Sequence, residues 1–305
     1  MKALLSKIDF KVLLAFGSVY IIWGTTYLAI VIGLESIEPF LLASMRYIIA
    51  GFLLLLFCLI KKEAIFNRSA LNNILLGAVM LPLGQGVLFW AEKYISSGLT
   101  AVFISTLPIW YIVADRRNWK NYFNSKLTLI SILLGIIGIV ILFGSPSATA
   151  EQQTTGMTII ASLVVVMSCF CWAVGSLYFK YSHKTGSLFS NIGWQLVGGV
   201  ITCMLISFFT GELNKFSFSA VTANSWFAVF YLAIAGSIIA FVSLYWLLDR
   251  RPAAVVGTYA YVNPVIAVLL GYLFANESIS VIQVIGMLVI LIAAYLANSV
   301  KFKST

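Results

Sequence analysis

Long apolar runs alternate with short polar stretches along the whole chain. Ten windows of 17 to 24 residues stand out: 12–33, 39–60, 71–91, 98–114, 127–143, 157–179, 188–210, 225–248, 253–274 and 280–298. A helix that crosses hydrocarbon needs about 20 mostly apolar residues. It must also satisfy its backbone polar groups within the segment, so each run predicts an α-helix. The connections are short. The two longest, Gly144–Gly156 and Gly211–Asn224, hold Ser, Thr, Asn and Gly and read as loops. The pattern predicts an all-α integral membrane protein of ten transmembrane helices.

Composition points the same way. Hydrophobic residues make up 61% and charged residues 10%, with a mean hydropathy of +1.02. Soluble domains carry about 25% charge. The net charge of +9 is spread in short runs between apolar stretches. This is the pattern that orients membrane helices rather than a basic face for nucleic acid. Val12–Gly33 is longer than a signal-peptide core and has no clear cleavage site, so it reads as a retained first span.

With the N-terminus in the cytoplasm, 16 of the 19 Lys and Arg residues fall on the cytoplasmic side. Lys93 and Lys215 fall outside, and Arg46 lies within a span. A miscounted helix would scramble this asymmetry. The expectation is a plasma (inner) membrane protein with both termini cytoplasmic.

The halves resemble each other. Trp23 and Trp172 are 149 residues apart, as are Arg46 and Gln195. An offset of 156 pairs Phe89-Trp90 with Tyr245-Trp246, and Pro108 with Pro264. Residues 1–149 and 150–305 therefore read as two five-helix repeats. An odd number of helices per repeat makes them inverted repeats, an architecture common among secondary transporters.

The motifs carry a resemblance. Ile22-Trp23-Gly24-Thr25, Pro39 with Arg46, Leu107-Pro108-Ile109-Trp110, and Tyr261-Val262-Asn263-Pro264 followed by Glu277 and Gly286 lie in order along the chain. The chain resembles the EamA-type members of the drug/metabolite transporter superfamily. That resemblance implies a secondary transporter with a central cavity between the halves. It also implies export of amino acids or related small metabolites, without fixing the substrate.

Candidate residues follow from depth. Arg46 lies about two turns into its helix, where a charge costs at least about 2.5–3.5 kcal/mol. It reads either as a partner for a substrate carboxylate or phosphate, or as a structural Arg bound to carbonyls or snorkelling. Pro108 and Pro264 remove helical hydrogen bonds at matched points and predict paired kinks. Tyr259 and Asn263 share one helix face. Gln85 and Asn263 read equally as ligand contacts or interhelical hydrogen bonds, while Thr25 and Thr26 read as packing. Trp23 and Trp172 sit centrally, as walls for a ligand or as core; Trp90 and Trp246 sit near span ends as interfacial residues. Gly198, Gly199, Gly236, Gly257 and Gly271 suit close helix contacts. Asp115 reads as a solvated partner of Arg116 and Arg117, leaving no evident proton relay.

Several classes find no support in the sequence. His183 is the sole histidine and lies in a loop; Cys58, Cys169, Cys171 and Cys203 lie in apolar segments as small hydrophobes. No metal or cofactor is expected. Paired intramembrane carboxylates and a Gly-rich phosphate loop are missing, so neither a hydrolytic enzyme nor an ATPase motor is indicated. A channel would want a ring of carbonyls or like charges. The expected partners are a small-molecule substrate and the lipid bilayer, with the oligomeric state left open. The mechanism expected is rocking of one half against the other around a central site.

Overall fold

A computed structural model describes residues 10–95, 97–143, 156–274 and 280–299, and among these there is helix but no strand. Lys2, Lys7, the loop 144–155, Glu277, Lys301 and Lys303 lie outside the described residues. The helices are α1 (Phe10–Leu34), α2 (Pro39–Ile60), α3 (Ala70–Ala91), α4 (Ser97–Ile104), α5 (Leu107–Ala114), α6 (Trp119–Asn124) and α7 (Lys126–Phe143). They continue as α8 (Gly156–Tyr181), α9 (Leu188–Phe209), α10 (Glu212–Lys215), α11 (Ala223–Leu248), α12 (Ala253–Val256), α13 (Tyr259–Phe274) and α14 (Val281–Ser299). Every predicted apolar window is helical.

Among the described residues, seven helical stretches are individually long and apolar enough to cross a membrane: α1, α2, α3, α8, α9, α11, and 253–270 across α12 and α13. Leu99–Ala114 joins Arg116–Asn124 at a 70° bend to make an eighth candidate, and Lys126–Leu142 and Val281–Ala297 are shorter apolar helices. Large apolar side chains face outward along them, including Phe52, Leu75, Val140, Leu163, Phe227 and Leu288. Only a lipid surround makes such a surface stable. The chain is a multi-pass membrane protein.

Two helices carry widened π turns, Pro82–Gly86 in α3 and Leu232–Ile239 in α11. Pro82 brings no N–H to the ladder of α3, which lets the turn open. In α11 the Ser237 hydroxyl donates to the Leu232 carbonyl at 3.0 Å. The α4–α5 helix is interrupted at Ser105–Thr106, with Pro108 second in the new helix. Gly257–Thr258 interrupt α12–α13, whereas Pro264 sits inside the continuous α13.

Helices α3 and α9 cross backbone on backbone. A Cβ at Gly77 would lie 1.9 Å from the Gln195 carbonyl oxygen, and one at Gly198 would lie 2.0 Å from that of Ile74. A hydrogen-bond chain reinforces the crossing. Asn73 Nδ2 donates to Asn191 Oδ1 at 2.8 Å, Gln195 Nε2 to Asn73 Oδ1 at 3.4 Å, and Tyr245 OH to Gln195 Oε1 at 2.9 Å. Helices α7 and α14 pack together at Gly138 and Gly286, forming a small second core with Tyr261 and Val265 of α13.

Asp115 corrects the reading made from sequence. It is 1% exposed and accepts from Tyr122 OH at 2.6 Å, Tyr181 OH at 2.7 Å and Asn118 Nδ2 at 3.0 Å. Arg116 and Arg117 instead lie over the rings of Trp119 and Tyr181. The 70° bend folds Tyr122 back over the carboxylate, so hydroxyls reach it and guanidinium groups do not.

Candidate functional site

Helices α1, α2, α3, α8 and α13 converge on a cavity near mid-bundle, with Ile104 and Leu107 on either side of the α4–α5 break closing one side. All six residues singled out from sequence as ligand contacts line it: Trp23, Arg46, Gln85, Trp172, Tyr259 and Asn263. About 60 Å³ of it can hold the centre of a water molecule, several times the roughly 10–15 Å³ that one ordered water needs.

Aromatic rings build the walls. Trp23 meets Trp172 edge-on at 5.7 Å and Tyr259 at 4.7 Å, and Trp172 stacks on Phe241 at 5.6 Å. Trp23 Nε1 donates to the Gly236 carbonyl at 3.1 Å, within the widened turn of α11. Trp172 reaches the cavity because α3 offers Gly84, where a Cβ would stand 3.0 Å from the indole.

Arg46 supplies the charge. It is 4% exposed and does not snorkel. Its Nη2 donates to Gln85 Oε1, which the widened turn of α3 presents and which also accepts from Tyr47 OH at 3.2 Å. The guanidinium lies 4.7 Å from the Tyr47 ring centroid and 5.1 Å from that of Phe89, cation–π contacts that partly replace hydration. Among the described residues no carboxylate pairs with it.

Two buried polar atoms on the cavity residues have no partner: Arg46 Nε and Asn263 Oδ1. The Asn263 amide otherwise donates to Tyr27 OH at 3.4 Å. Leaving a buried donor or acceptor unmet costs about 1–3 kcal/mol, so a donor and an acceptor stand ready for a polar guest.

Thr25 and Thr26 spend their hydroxyls on backbone carbonyls of α1. Gln195, matched to Arg46 by the repeat offset, is locked into the α3–α9 hydrogen-bond chain away from the cavity. The sequence reading missed Tyr27, Phe89, Ser168 and Cys169 as lining residues. It also missed Glu92, one residue beyond the window 71–91 and beside Lys93, where it reads as a loop charge. The signal was present: Gln85, Leu88, Phe89 and Glu92 fall on one helix face.

The fold and site together define a multi-pass helical membrane protein enclosing a polar, aromatic-walled cavity. The EamA-like transporter family model matches residues 10–144 and again residues 159–299. The chain belongs to the EamA-like transporter family of the drug/metabolite transporter superfamily. It is 32% identical over 291 residues to the uncharacterized inner membrane transporter YedA of Escherichia coli, covering 94% of this chain and 90% of that one. It is 25% identical to the uncharacterized transporter YoaV of Bacillus subtilis (92% and 94% covered) and 26% identical to PecM of Dickeya dadantii (93% and 91%). A crystal structure shares the fold at a TM-score of 0.72 and 17% identity, covering 95% of this chain and 98% of the other.

Proposed function

We propose that this transporter carries small carboxylate-bearing metabolites, amino acids among them, through the cavity around Arg46. One observation carries the reading. A guanidinium is buried at membrane depth, bonded only to a neutral amide and two aromatic faces, with its Nε unmet. Such a charge is expensive, and a carboxylate guest would repay it with charge-assisted hydrogen bonds. Asn263 Oδ1 adds an acceptor for a substrate amine or hydroxyl. The rings of Trp23, Trp172 and Tyr259 suit an apolar side chain.

In this proposal ten crossings form two inverted five-helix repeats, which the two successive family matches support. The inner-membrane setting follows the description of YedA, and the Lys and Arg distribution puts both termini in the cytoplasm. The halves rock around the cavity, with the interruptions before Pro108 and at Gly257–Thr258 as flexing points, and export is the physiological direction.

The test is counterflow in proteoliposomes with labelled amino acids, other organic acids, polyamines and nucleosides. Saturable, trans-stimulated uptake is expected for a carboxylate compound. Arg46→Lys should fold and transport at least tenfold more slowly, and Arg46→Ala should be inactive. Normal transport by a well-expressed Arg46→Ala protein would sink the proposal.

A further inference from the structure

Glu92 is the charged group that the carrier reading leaves unused. It follows α3 directly and continues the inner row of that helix beyond Gln85, Leu88 and Phe89. Seven residues along a helix place it about 10 Å from Gln85, one turn past the cavity lining. Both carboxylate oxygens are buried and neither has a hydrogen-bond partner. Its neighbour Lys93 turns the opposite way, to Glu38 at 2.6 Å.

Among the described residues nothing bonds Glu92 as a fixed charge. Tyr27 of α1 lies within its field. Farther out at the same end stand Lys93, Glu38 and Lys215. None of these bonds to the carboxylate, and burial alone pushes its pKa well above the usual carboxylate range. Asp115 is the contrast: hydroxyls and an amide occupy both its oxygens.

We propose that Glu92 is the proton-binding carboxyl of this transporter, which exchanges substrate for a proton. The carboxylate takes a proton from water when the cavity opens towards the end holding Glu38, Lys93 and Lys215, becoming a neutral acid. It returns that proton to water after the opposite opening; no bond to substrate forms or breaks. The inference rests on the carrier reading and names its coupling ion.

The test separates exchange from proton drive, using wild type and Glu92→Gln in proteoliposomes with the panel above. At equal pH on both sides, counterflow should be unchanged in Glu92→Gln. With a gradient of one pH unit, wild type should accumulate substrate roughly tenfold, the ratio for one proton per substrate, and Glu92→Gln should not. Glu92→Asp, which keeps a titratable group, should retain part of the drive and guards against misfolding of the Gln variant. Exchange in both proteins with equal or no proton drive overturns the role of Glu92 and leaves the carrier standing. A folded Glu92→Gln protein without exchange also overturns it, since Glu92 would then serve substrate binding. Exchange in neither protein removes the carrier reading and this inference with it.

Discussion

Arg46 and Glu92 show how partners decide the state of a buried ionisable side chain. The Arg46 guanidinium meets an amide oxygen and two ring faces. Glu92 has no donor near its oxygens, and desolvation favours the neutral acid. The folded protein therefore binds the Glu92 proton more tightly than the unfolded chain does. Stability should be highest below the ordinary carboxylate pKa of about 4.3 and fall as pH rises towards the folded-state value, by up to about 1.4 kcal/mol per unit. Melting curves of purified protein across this range should show the decline in wild type and a flatter profile in Glu92→Gln. Glu38 runs the other way. Its hydrogen bond to Lys93 holds its pKa below the usual range, so its contribution is present above the unfolded value and lost as pH falls through the folded one. That pair is partly exposed and contributes under about 1 kcal/mol. Residue chemistry was legible in sequence where depth alone decides it, as at Arg46. It was illegible at Glu92 and Asp115, because sequence places both at span ends and only the fold decides where each carboxylate turns.

At the scale of elements, glycine fixes how closely α3 and α9 approach. Any Cβ at Gly77 or Gly198 would enter the facing backbone rather than a movable side chain. Gly77→Val should prevent folding, and even Gly198→Ala should force the helices apart at a cost above the usual 0.5–3 kcal/mol of a single substitution. The yield of monodisperse protein by size exclusion measures both. The bend at Asp115 makes a second case. Asp115→Leu strands the hydroxyls of Tyr122 and Tyr181, costing about 1–3 kcal/mol for each buried donor, whereas Asp115→Asn keeps an acceptor and should melt closer to wild type. The helix windows were read to within a residue or two, since apolar length is local. The breaks before Pro108 and at Gly257 were legible only in part. The widened turn of α11 has no proline to announce it.

For the whole molecule, Cys169 gives a handle on movement. It is 3% exposed and lines the cavity. In a variant with Cys58, Cys171 and Cys203 changed to Ser, a membrane-impermeant maleimide should reach Cys169 from either face of oriented vesicles. Saturating substrate should slow that labelling severalfold. Labelling from one face only would argue against alternating opening. The residues around the cavity were foreshadowed by polar and aromatic side chains deep in the apolar windows. The cavity's asymmetry was not, because Gln195 left the site for the α3–α9 contact while Arg46 stayed.

The widened turn of α3 has a further consequence. A π turn accommodates an extra residue, and each residue advances an α-helix by about 100°. The insertion at Pro82–Gly86 thus acts as a phase setting between two lengths of one helix. The outer length, with Asn73 and Gly77, addresses α9, while the inner length, with Leu88 and Phe89, addresses the cavity. Closing that turn into regular α-helix with every residue kept would rotate one length against the other by more than a quarter turn and swing Leu88 and Phe89 away from the cavity.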